Sequence, residues 1–243
     1  EAIQRKSLVR SPVAVRSIIY GSVRKSGAIV HAETLNNNAD LYLVVALCGH
    51  EVNSIGSVFF NDTEIQTGHL DGSGNINTGT YSGKAQIIKH LGSTTQTVDT
   101  VLDGASTVWT NAHRLRGIAY LMIKLTYDVD VYPNGIPNIS AVIQGKKILN
   151  VSTSATAYSN NPANVIYNYL TSSDGLGAST SEIDLTSFQQ ARSDCDDSIS
   201  VTGGTQNRFT CNGVIELNKK PVDAIEDLVS SCAGTLTYQQ GKF

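Results

Sequence analysis

The sequence predicts a β-rich α+β protein in which an antiparallel β-barrel region is followed by a smaller mixed α/β module. Apolar, β-branched runs dominate the first two thirds of the 243 residues, and short turns join them. Patterns with helical spacing concentrate in the last third. Charged residues make up 16% of the chain, below the roughly 25% usual for soluble domains, and Ser, Thr, Asn and Gln supply much of the polar surface.

The first strands are indicated by alternation and by long apolar runs. Residues 13–20 alternate loosely, and "GAIVHAETL" at 27–35 continues as a strand. "LYLVVALCGHEV" at 41–52 is long and β-branched, which is typical of a strand buried on both faces. "SVFFNDTEI" at 57–65 predicts two short strands around an Asn-Asp turn.

The middle of the chain alternates between loops and further strands. Glycine recurs among Asn, Ser and Thr in residues 68–83, which predicts a mobile loop or a loosely built hairpin. The strand pattern resumes in "AQIIKHLG" at 85–92 and in "GIAYLMIKLTYDVDVY" at 117–132. "YPNGIPN" at 132–138 predicts a rigid loop, because two prolines restrict its backbone.

The strand-rich region ends in "ISAVIQGKKILNV" at 139–151, which predicts a hairpin that turns at Gly145–Lys146. Because the buried strands are joined by short turns rather than crossover helices, we expect a closed or nearly closed antiparallel barrel. The composition changes near residue 158. We therefore predict a β-barrel domain at 1–157, which contains the glycine-rich loop at 68–83, and an α+β domain at 158–243.

Two closely matched helices are predicted in the second domain, each starting at a proline. Proline is favoured at the first helical position, where its missing N–H would have no partner. Apolar residues follow Pro162 and Pro221 at helical spacing and form one stripe on each helix. The stripes consist of Val165, Ile166, Tyr169 and Leu170, and of Ala224, Ile225, Leu228 and Val229. Helices this short are unstable alone in water, so each must pack on an apolar surface.

The rest of the second domain contains one more helix and two strands. "EIDLTSFQQARSDCDD" at 182–197 predicts a helix capped by Asp184 or Thr186. "NRFTCNGVIEL" at 207–217 and "GTLTYQQGKF" at 234–243 predict strands. The glycine that opens the last strand takes the place of a helix C-terminal glycine. The sequence stops in mid-pattern, so we expect this domain to be incomplete at its C-terminus.

Charge and hydropathy argue against two classes of function. The formal net charge is −3 and the pI is about 5.9, so the chain lacks the basic field that attracts nucleic acid. No run approaches the roughly eighteen apolar residues that a membrane span needs, and we expect no stable membrane insertion by this segment. The chain begins with Glu1, which indicates a processed chain or a fragment of a longer one.

The cysteines are widely spaced and include no C-x-x-C pair. They are Cys48, Cys195, Cys211 and Cys232. Cys48 lies in a strongly apolar run, where a buried and reduced thiol is expected. A disulfide among the other three remains open, and zinc binding is the less favoured alternative.

The histidines show no catalytic or metal-binding pattern, because they are spread singly without H-x-H or H-x-x-x-H spacing. They are His31, His50, His69, His90 and His113. "DGSGN" at 71–75 matches the first, third and fifth positions of a calcium-binding loop. Ile76 and Ser82 replace the glycine and the glutamate that this loop requires, so a flexible glycine-rich turn is the favoured interpretation.

The paired acids of "DCDD" at 194–197 are the candidates for catalytic carboxylates. Asp194, Asp196 and Asp197 lie at the end of a predicted helix, where a solvated helix end is the favoured interpretation. N-x-[ST] sequons at Asn61, Asn138 and Asn150 arise easily in a chain rich in these residues. The sequence contains no G-x-S-x-G, P-loop or G-x-G-x-x-G motif, and we predict no catalytic, cofactor-binding or metal-binding residue.

Several stretches together resemble the tail tip hub proteins of long-tailed phages, the tip attachment or host specificity proteins of lambda-type siphophages. The stretches are "LYLVVALCGHEVNSIGSVFFNDTEI", "VWTNAHRLRGIAYLMIKLTYDVDVYPNGIPNISAVIQGKKI", "NPANVIYNYLTSSDGLG" and "RFTCNGVIELNKKPVDAIEDLVSSCAGTLTYQQGKF". They occur in the order found in that family and cover most of residues 40–243. The resemblance implies β-barrel modules related to the tail-tube fold, followed by mixed α/β modules.

The same resemblance implies a structural role rather than an enzymatic one. A homotrimer of such a hub closes the distal end of the tail tube and links it to the tip or fibre during host attachment and DNA ejection. The implied partners are the distal tail protein, the tape measure protein and other tail tip or fibre proteins, with viral DNA only as passing cargo. The implied location is the tail tip of the virion, assembled in the host cytoplasm.

Two other classes of function are alternatives to this structural role. A tail-associated cell-wall or polysaccharide hydrolase would need a carboxylate pair, a metal or a thiol in a cleft. A secreted carbohydrate-binding β-protein would need exposed aromatic platforms, and the single tryptophan, Trp109, supports it poorly.

Overall fold

A computed structural model describes residues 14–243 and the backbone of the short strand Val9–Arg10. The chain divides into two compact units. The first unit contains the described residues up to Arg16 together with Arg24–Gln144, and the second contains Ser17–Val23 and Gly145–Phe243. The sequence placed the boundary between two domains at 157/158, whereas the compact units change at 144/145 and the second unit also includes an early segment.

The secondary structure of the described residues is mostly β. The strands are β1 Val9–Arg10, β2 Ser17–Tyr20, β3 Ser22–Ser26, β4 Ala28–Leu35, β5 Asp40–Cys48, β6 Ser54–Phe60, β7 Thr63–Ile65, β8 Ala85–His90, β9 Ala119–Thr126, β10 Ile139–Gln144, β11 Lys147–Leu149, β12 Thr156–Tyr158, β13 Ser198–Val201, β14 Gly204–Asn207 and β15 Gly213–Glu216. The α-helices are α1 Thr100–Ala105, α2 Pro162–Thr171, α3 Leu185–Asp196 and α4 Pro221–Ser230. The predicted β-rich α+β class is confirmed, and the three longer helices follow residue 158 as expected.

The larger sheet of the first unit has the strand order β1-β4-β5-β9-β8. β1 runs parallel to β4, and the other pairs are antiparallel. In the centre of the sheet Val44 pairs with Met122, and both side chains are fully buried. The long apolar pattern at 41–52 therefore gives a central strand with most side chains buried, as predicted.

The second sheet of the first unit has the order β3-β10-β6-β7. β6 and β7 form the predicted hairpin, in which Phe60 pairs with Thr63 across the Asn61–Asp62 turn. Asn61 adopts a φ of 55°, a left-handed conformation that asparagine tolerates better than most residues. This hairpin is an example of a turn that local sequence chemistry determines.

The predicted barrel closure is wrong for the described strands of the first unit, which form two separate open sheets. The outer edge of β8 is occupied by part of the glycine-rich loop instead of a further strand. The N–H of Ile87 donates to the carbonyl of Gly74, and the N–H of Ile76 donates to the carbonyl of Ala85. Because these backbone groups are satisfied by the loop, no strand is needed to close the sheet at this edge.

The predicted hairpin at Gly145–Lys146 is also wrong. β10 pairs with β6 in the first unit, whereas β11 pairs with β12 in the second. The intervening residues bond to an earlier segment: Gly145 N–H donates to the carbonyl of Gly21 and Lys146 N–H to that of Ile19, both at 2.8 Å. Hydrogen bonds to residues far away in the sequence thus replace the predicted local hairpin. At this point the chain passes from the first unit to the second.

The helices of the second unit begin where the sequence predicts. Pro162 and Pro221 each occupy the first turn of a helix, and the side chain of Asn161 accepts the N–H groups of Ala163 and Asn164. Asp184, rather than Thr186, caps α3. The buried core of this unit consists mainly of the α2 stripe with Ile18, Tyr20, Ile148, Val151, Ile183, Phe188, Ile215, Ala224 and Leu228.

The C-terminal strand predictions hold only in part. The pattern at 207–217 yields the short strand β15, which pairs with β2 near the start of the chain. Residues 234–243 form no strand apart from an isolated bridge, in which Gln239 and Lys242 exchange backbone hydrogen bonds. Ala233, and not Gly234, takes the left-handed conformation after α4, with a φ of 50°.

Candidate functional site

The three acidic residues at the end of α3 have different bonding partners. Asp196 contacts Arg192 at 2.9 Å, and Asp197 contacts Arg208 at 3.0 Å. Asp194 accepts a hydrogen bond from Gln190 at 2.8 Å. Each of the three carboxylates is thus engaged with a different partner, in keeping with a solvated helix end held by local ion pairs and hydrogen bonds.

Two histidines that are far apart in sequence meet at Trp109. The imidazole of His31 lies 5.0 Å from the indole, and that of His113 stacks on it at 4.9 Å, measured between ring centroids. His31 Nε2 lies 3.3 Å from a Glu33 oxygen that also accepts the Ser106 hydroxyl at 2.5 Å. Sequence analysis missed this cluster because its members come from separate segments without a shared motif. Trp109 is buried, so its indole offers no open platform for a sugar.

A second histidine pairs with a buried carboxylate. His90 Nε2 lies 2.7 Å from Asp99, whose other oxygen accepts the N–H groups of Val101 and Leu102 at the start of α1. The His90 ring stacks on Tyr120 at 4.3 Å. Both oxygens of Asp99 are therefore used to hold α1 and His90, which makes this pair a structural element.

The loop that resembles a calcium site uses its aspartate to fold itself. Asp71 Oδ1 accepts the N–H groups of Ser73 and Asn75, and Oδ2 accepts the Asn75 side-chain amide. These hydrogen bonds, with that of the Asn75 side chain the largest, lower the pKa of the Asp71 carboxyl. The geometry is that of an Asx turn.

Neither a metal-binding cluster nor a membrane-spanning helix is present in residues 14–243. This part of the chain contains no group of three or more His, Cys, Asp or Glu side chains placed to hold a metal ion. None of its helices is both long and apolar enough to cross a bilayer.

The four cysteines are free thiols, and three of them are buried. Cys48 lies at the end of β5, and its Sγ is 3.6 Å from the carbonyl oxygen of His50. Burial raises the pKa of the Cys48 thiol to about 11. Burial also raises the pKa of Cys195, to about 11, and that of Cys211. Raised pKa values keep these thiols protonated and poorly nucleophilic at neutral pH.

Stability is expected to fall in alkaline solution because of Cys48. Well below pH 9 the thiol is protonated in the folded and unfolded states, and it has no effect on the pH dependence of stability. As the pH rises through about 9 towards 11 the unfolded state loses the proton first, so the free energy of unfolding decreases, by at most about 3 kcal/mol. Urea denaturation under reducing conditions at pH 8 and pH 10.5 measures this loss.

The variant Cys48→Ala provides the control for that measurement. It removes the titrating thiol, so its stability should fall less than that of the parent between the two pH values. An equal fall in both proteins would contradict the assignment of the alkaline effect to Cys48.

The second unit contains a small polar cavity of about 230 Å³. Its wall comes from β11, β12 and the residues after it, the first turn of α2 and the C-terminal half of α3. Arg192 and Asp196, at the end of α3, are its charged lining residues. No sequence motif predicts this cavity, because four of its ten lining residues are asparagines that look like ordinary loop residues.

Comparison with known proteins finds a similar fold in a solved structure. No protein family model matches the sequence, and no curated protein matches it either. A chain of a solved structure described as "Virion of native gene transfer agent (GTA) particle" is similar to this one, with a TM-score of 0.53. The fold is one found in a virion.

The likeness covers 76% of this chain with 16% sequence identity, and at that identity it concerns the fold alone. The match spans 45% of the length of the virion chain, so this chain corresponds to less than half of that protein. A fold similar to that of this chain therefore occurs in a particle component.

Proposed function

We propose that this chain is a structural virion protein, the central hub at the distal end of a phage tail. In this role it closes the tail tube and links it to the tip or fibre during host attachment and DNA ejection. The observation that carries the proposal is the shared fold with a chain of a gene transfer agent virion. The ordered resemblance of four sequence stretches to tail tip hubs narrows the role from virion component to hub.

The proposed assembly is a homotrimer around a central channel. A cyclic ring buries a matching surface on every copy and leaves no contact open for further growth, as the end of a tail requires. The low charged fraction of 16% supports extensive subunit contacts, since charged residues are depleted at interface cores. The distal tail protein, the tape measure protein and other tip or fibre proteins are the proposed neighbours.

The charge of the chain supports a conduit for DNA. A channel wall rich in Lys or Arg would bind the phosphate backbone through counterion release and slow the exit of DNA. The net charge of −3 favours a neutral or acidic channel wall, with DNA as passing cargo only. The proposed location is the tail tip of a virion that is assembled in the host cytoplasm.

Electron cryomicroscopy of the intact particle tests the hub proposal. A particle that carries an affinity tag on this protein should show the tag at the tail tip, with three copies around the channel. One copy, six copies, a strongly basic channel wall or a location in the capsid would contradict the proposal. The particle is the right sample, because ring closure in such assemblies depends on neighbouring proteins.

We predict that the chain catalyses no cell-wall hydrolysis. The carboxylates at the end of α3 are each engaged with a different partner, as described above. Purified chain should therefore release no soluble fragments from labelled peptidoglycan or polysaccharide. Alanine variants of His50, His113 and the Asp194/Asp196/Asp197 cluster serve as controls, and hydrolysis by the parent that is lost in one of them would overturn the prediction.

A further inference from the structure

Three of the four cysteines come together in the second unit. Cys195 lies in the last turn of α3, Cys211 precedes β15, and Cys232 follows α4. Cys211 belongs to the buried core of this unit, and Cys232 packs against that core. The N–H of Phe209 donates to the carbonyl of Cys195 at 3.2 Å, which ties the end of α3 to the segment that leads to Cys211. The fold thus gathers three thiols that are widely spaced in the sequence.

The thiols of Cys195 and Cys232 are direct neighbours. Burial raises the pKa of Cys195 most, and the Cys232 thiol raises it further, both by its charge and through a hydrogen bond between the two side chains. Ala163, in the first turn of α2, connects the two cysteines, because its N–H bonds to the Cys195 thiol and Cys232 packs against the core that contains Ala163. A disulfide brings two sulfurs to about 2 Å, so side chains that already share a hydrogen bond need only a small rearrangement.

Cys211 is a poorer partner for Cys232. Its thiol forms a hydrogen bond with the side chain of Ser231, and its interaction with Cys232 is electrostatic. The backbone N–H of Cys211 also donates to the carbonyl of Asn160 at 2.7 Å, which fixes this residue beside the start of α2. The contacts of the three thiols therefore favour Cys195 as the residue that pairs with Cys232.

Cys232 is the thiol that a reagent in solution reaches first. Cys195 and Cys211 are buried, whereas Cys232 is partly exposed. It lies in the turn after α4, and residues 233–235 of that turn are exposed. An accessible thiol beside a buried one is the arrangement in which the first attacks and the second resolves the mixed disulfide.

We propose that Cys232 and Cys195 form a redox pair that a low-molecular-weight disulfide, such as glutathione disulfide, oxidises to an intramolecular cross-link. The Cys232 thiol loses its proton and attacks the reagent. A bond between Cys232 and one glutathione forms, the S–S bond of the reagent breaks, and the other glutathione leaves as a thiolate.

The second step closes the cross-link. The Cys195 thiol loses its proton and attacks the Cys232 sulfur, so the Cys195–Cys232 bond forms and the second glutathione leaves as a thiolate. The two thiolates take up the two protons. The pair of cysteines has then lost two electrons, and glutathione disulfide has been reduced to two thiols.

A cross-link at this place suits a component of a virion, and this use of the redox pair rests on the proposed function. Cytoplasmic thiols are kept reduced, whereas disulfides persist at the surfaces of virions. The bond would join the ends of α3 and α4, the two helices that contact α2. The thermal midpoint of the second unit should rise by roughly 10 °C on oxidation, as for other disulfides in domains of this size.

Peptide mapping of the purified chain tests the proposal. The folded chain is incubated at pH 8 with reduced glutathione or with excess glutathione disulfide, and free thiols are then blocked with N-ethylmaleimide in denaturant. Trypsin places the three cysteines on separate peptides, 193–208, 209–219 and 220–242. Glutathione disulfide should link 193–208 to 220–242, and dithiothreitol should remove both this link and the rise in thermal midpoint.

Three serine variants make the test specific. Cys195→Ser removes the resolving thiol, so the reaction should stop with one glutathione bound to Cys232. Cys232→Ser removes the attacking thiol and should give neither product. Cys211→Ser is the matched control and should form the cross-link as the parent does. The mapping of the parent needs no variant, so it decides the proposal even where a variant does not fold.

Three outcomes would overturn the proposal. The first is the absence of the link between 193–208 and 220–242 in the folded parent. The second is a predominant link between 209–219 and 220–242, which would assign the pair to Cys211. The third is a link that forms only in urea or only between two chains. The position of the chain in the particle does not enter this test, so its failure is distinguishable from failure of the hub proposal.

Discussion

Leu170→Asp is expected to unfold the second unit. Leu170 lies on the inner stripe of α2 and is fully buried in a core that also contains Phe188 and Leu228. A carboxylate at this position would lose its hydration without gaining a partner, a change of the kind that costs more than about 4 kcal/mol. The amide resonances of the second unit should collapse to the narrow dispersion of an unfolded chain. The fluorescence of Trp109, which lies in the first unit, provides a separate reading of that unit.

Two further aspartate variants calibrate this result. Val222→Asp places the same charge on α4 at a side chain that is 64% exposed, and its stability should stay within about 0.5 kcal/mol of the parent. Ile225→Asp lies between these cases, because Ile225 is only partly buried against the same core. If Leu170→Asp had the urea midpoint of Val222→Asp, the amphipathic assignment of α2 would be wrong.

Gly145→Ala is expected to be nearly as damaging, although it adds a single methyl group. That methyl carbon would overlap the carbonyl oxygen of Ile19 and lie 2.5 Å from its carbonyl carbon. Both atoms belong to the backbone, so relief requires one strand to move. Movement would weaken the hydrogen bonds from Gly145 to Gly21 and from Lys146 to Ile19. Overpacking of about 1–3 kcal/mol and two weakened hydrogen bonds of about 1 kcal/mol each give a loss of roughly 3–5 kcal/mol.

Gly104→Ala is the matched control for that variant. Gly104 lies inside α1, where an added methyl group meets no atom within 4 Å. Since glycine is about 1 kcal/mol less favourable than alanine in a helix, this variant should be slightly more stable than the parent. Urea denaturation of both variants measures the difference, and effects of the same sign would contradict the close approach at Gly145.

The sequence predicts well those features that are determined by residues close together in the chain. Prolines at the first turns of α2 and α4 and the Asp184 cap of α3 act within a few residues, and each marks the start of a helix. The Asn61–Asp62 turn likewise fixes its hairpin through a residue that tolerates a positive φ. These signals depend little on the remainder of the chain.

The features that the sequence misses depend on distant partners. Nothing between 139 and 151 shows that Gly145 and Lys146 bond to Gly21 and Ile19, so a local hairpin was the natural expectation. The cluster around Trp109 joins residues from β4 and from the segment that follows α1. The cavity of the second unit escapes notice for the same reason, since its wall joins residues 148–164 to Arg192 and Asp196 of α3.

The pairing of β2 with β15 has a consequence for biosynthesis. β2 leaves the ribosome well before its partner, because the paired residues of β15 lie 193 (Tyr20 to Gly213) to 199 (Ser17 to Glu216) positions further along the chain. At roughly 5–20 residues per second the delay is on the order of ten to forty seconds. During this interval the apolar segment "SIIY" of the nascent polypeptide has no partner strand and is exposed to chaperones and to other nascent chains. An expression piece that started at Gly145 would lack this strand, and one that ended at Gln144 would carry it unpaired.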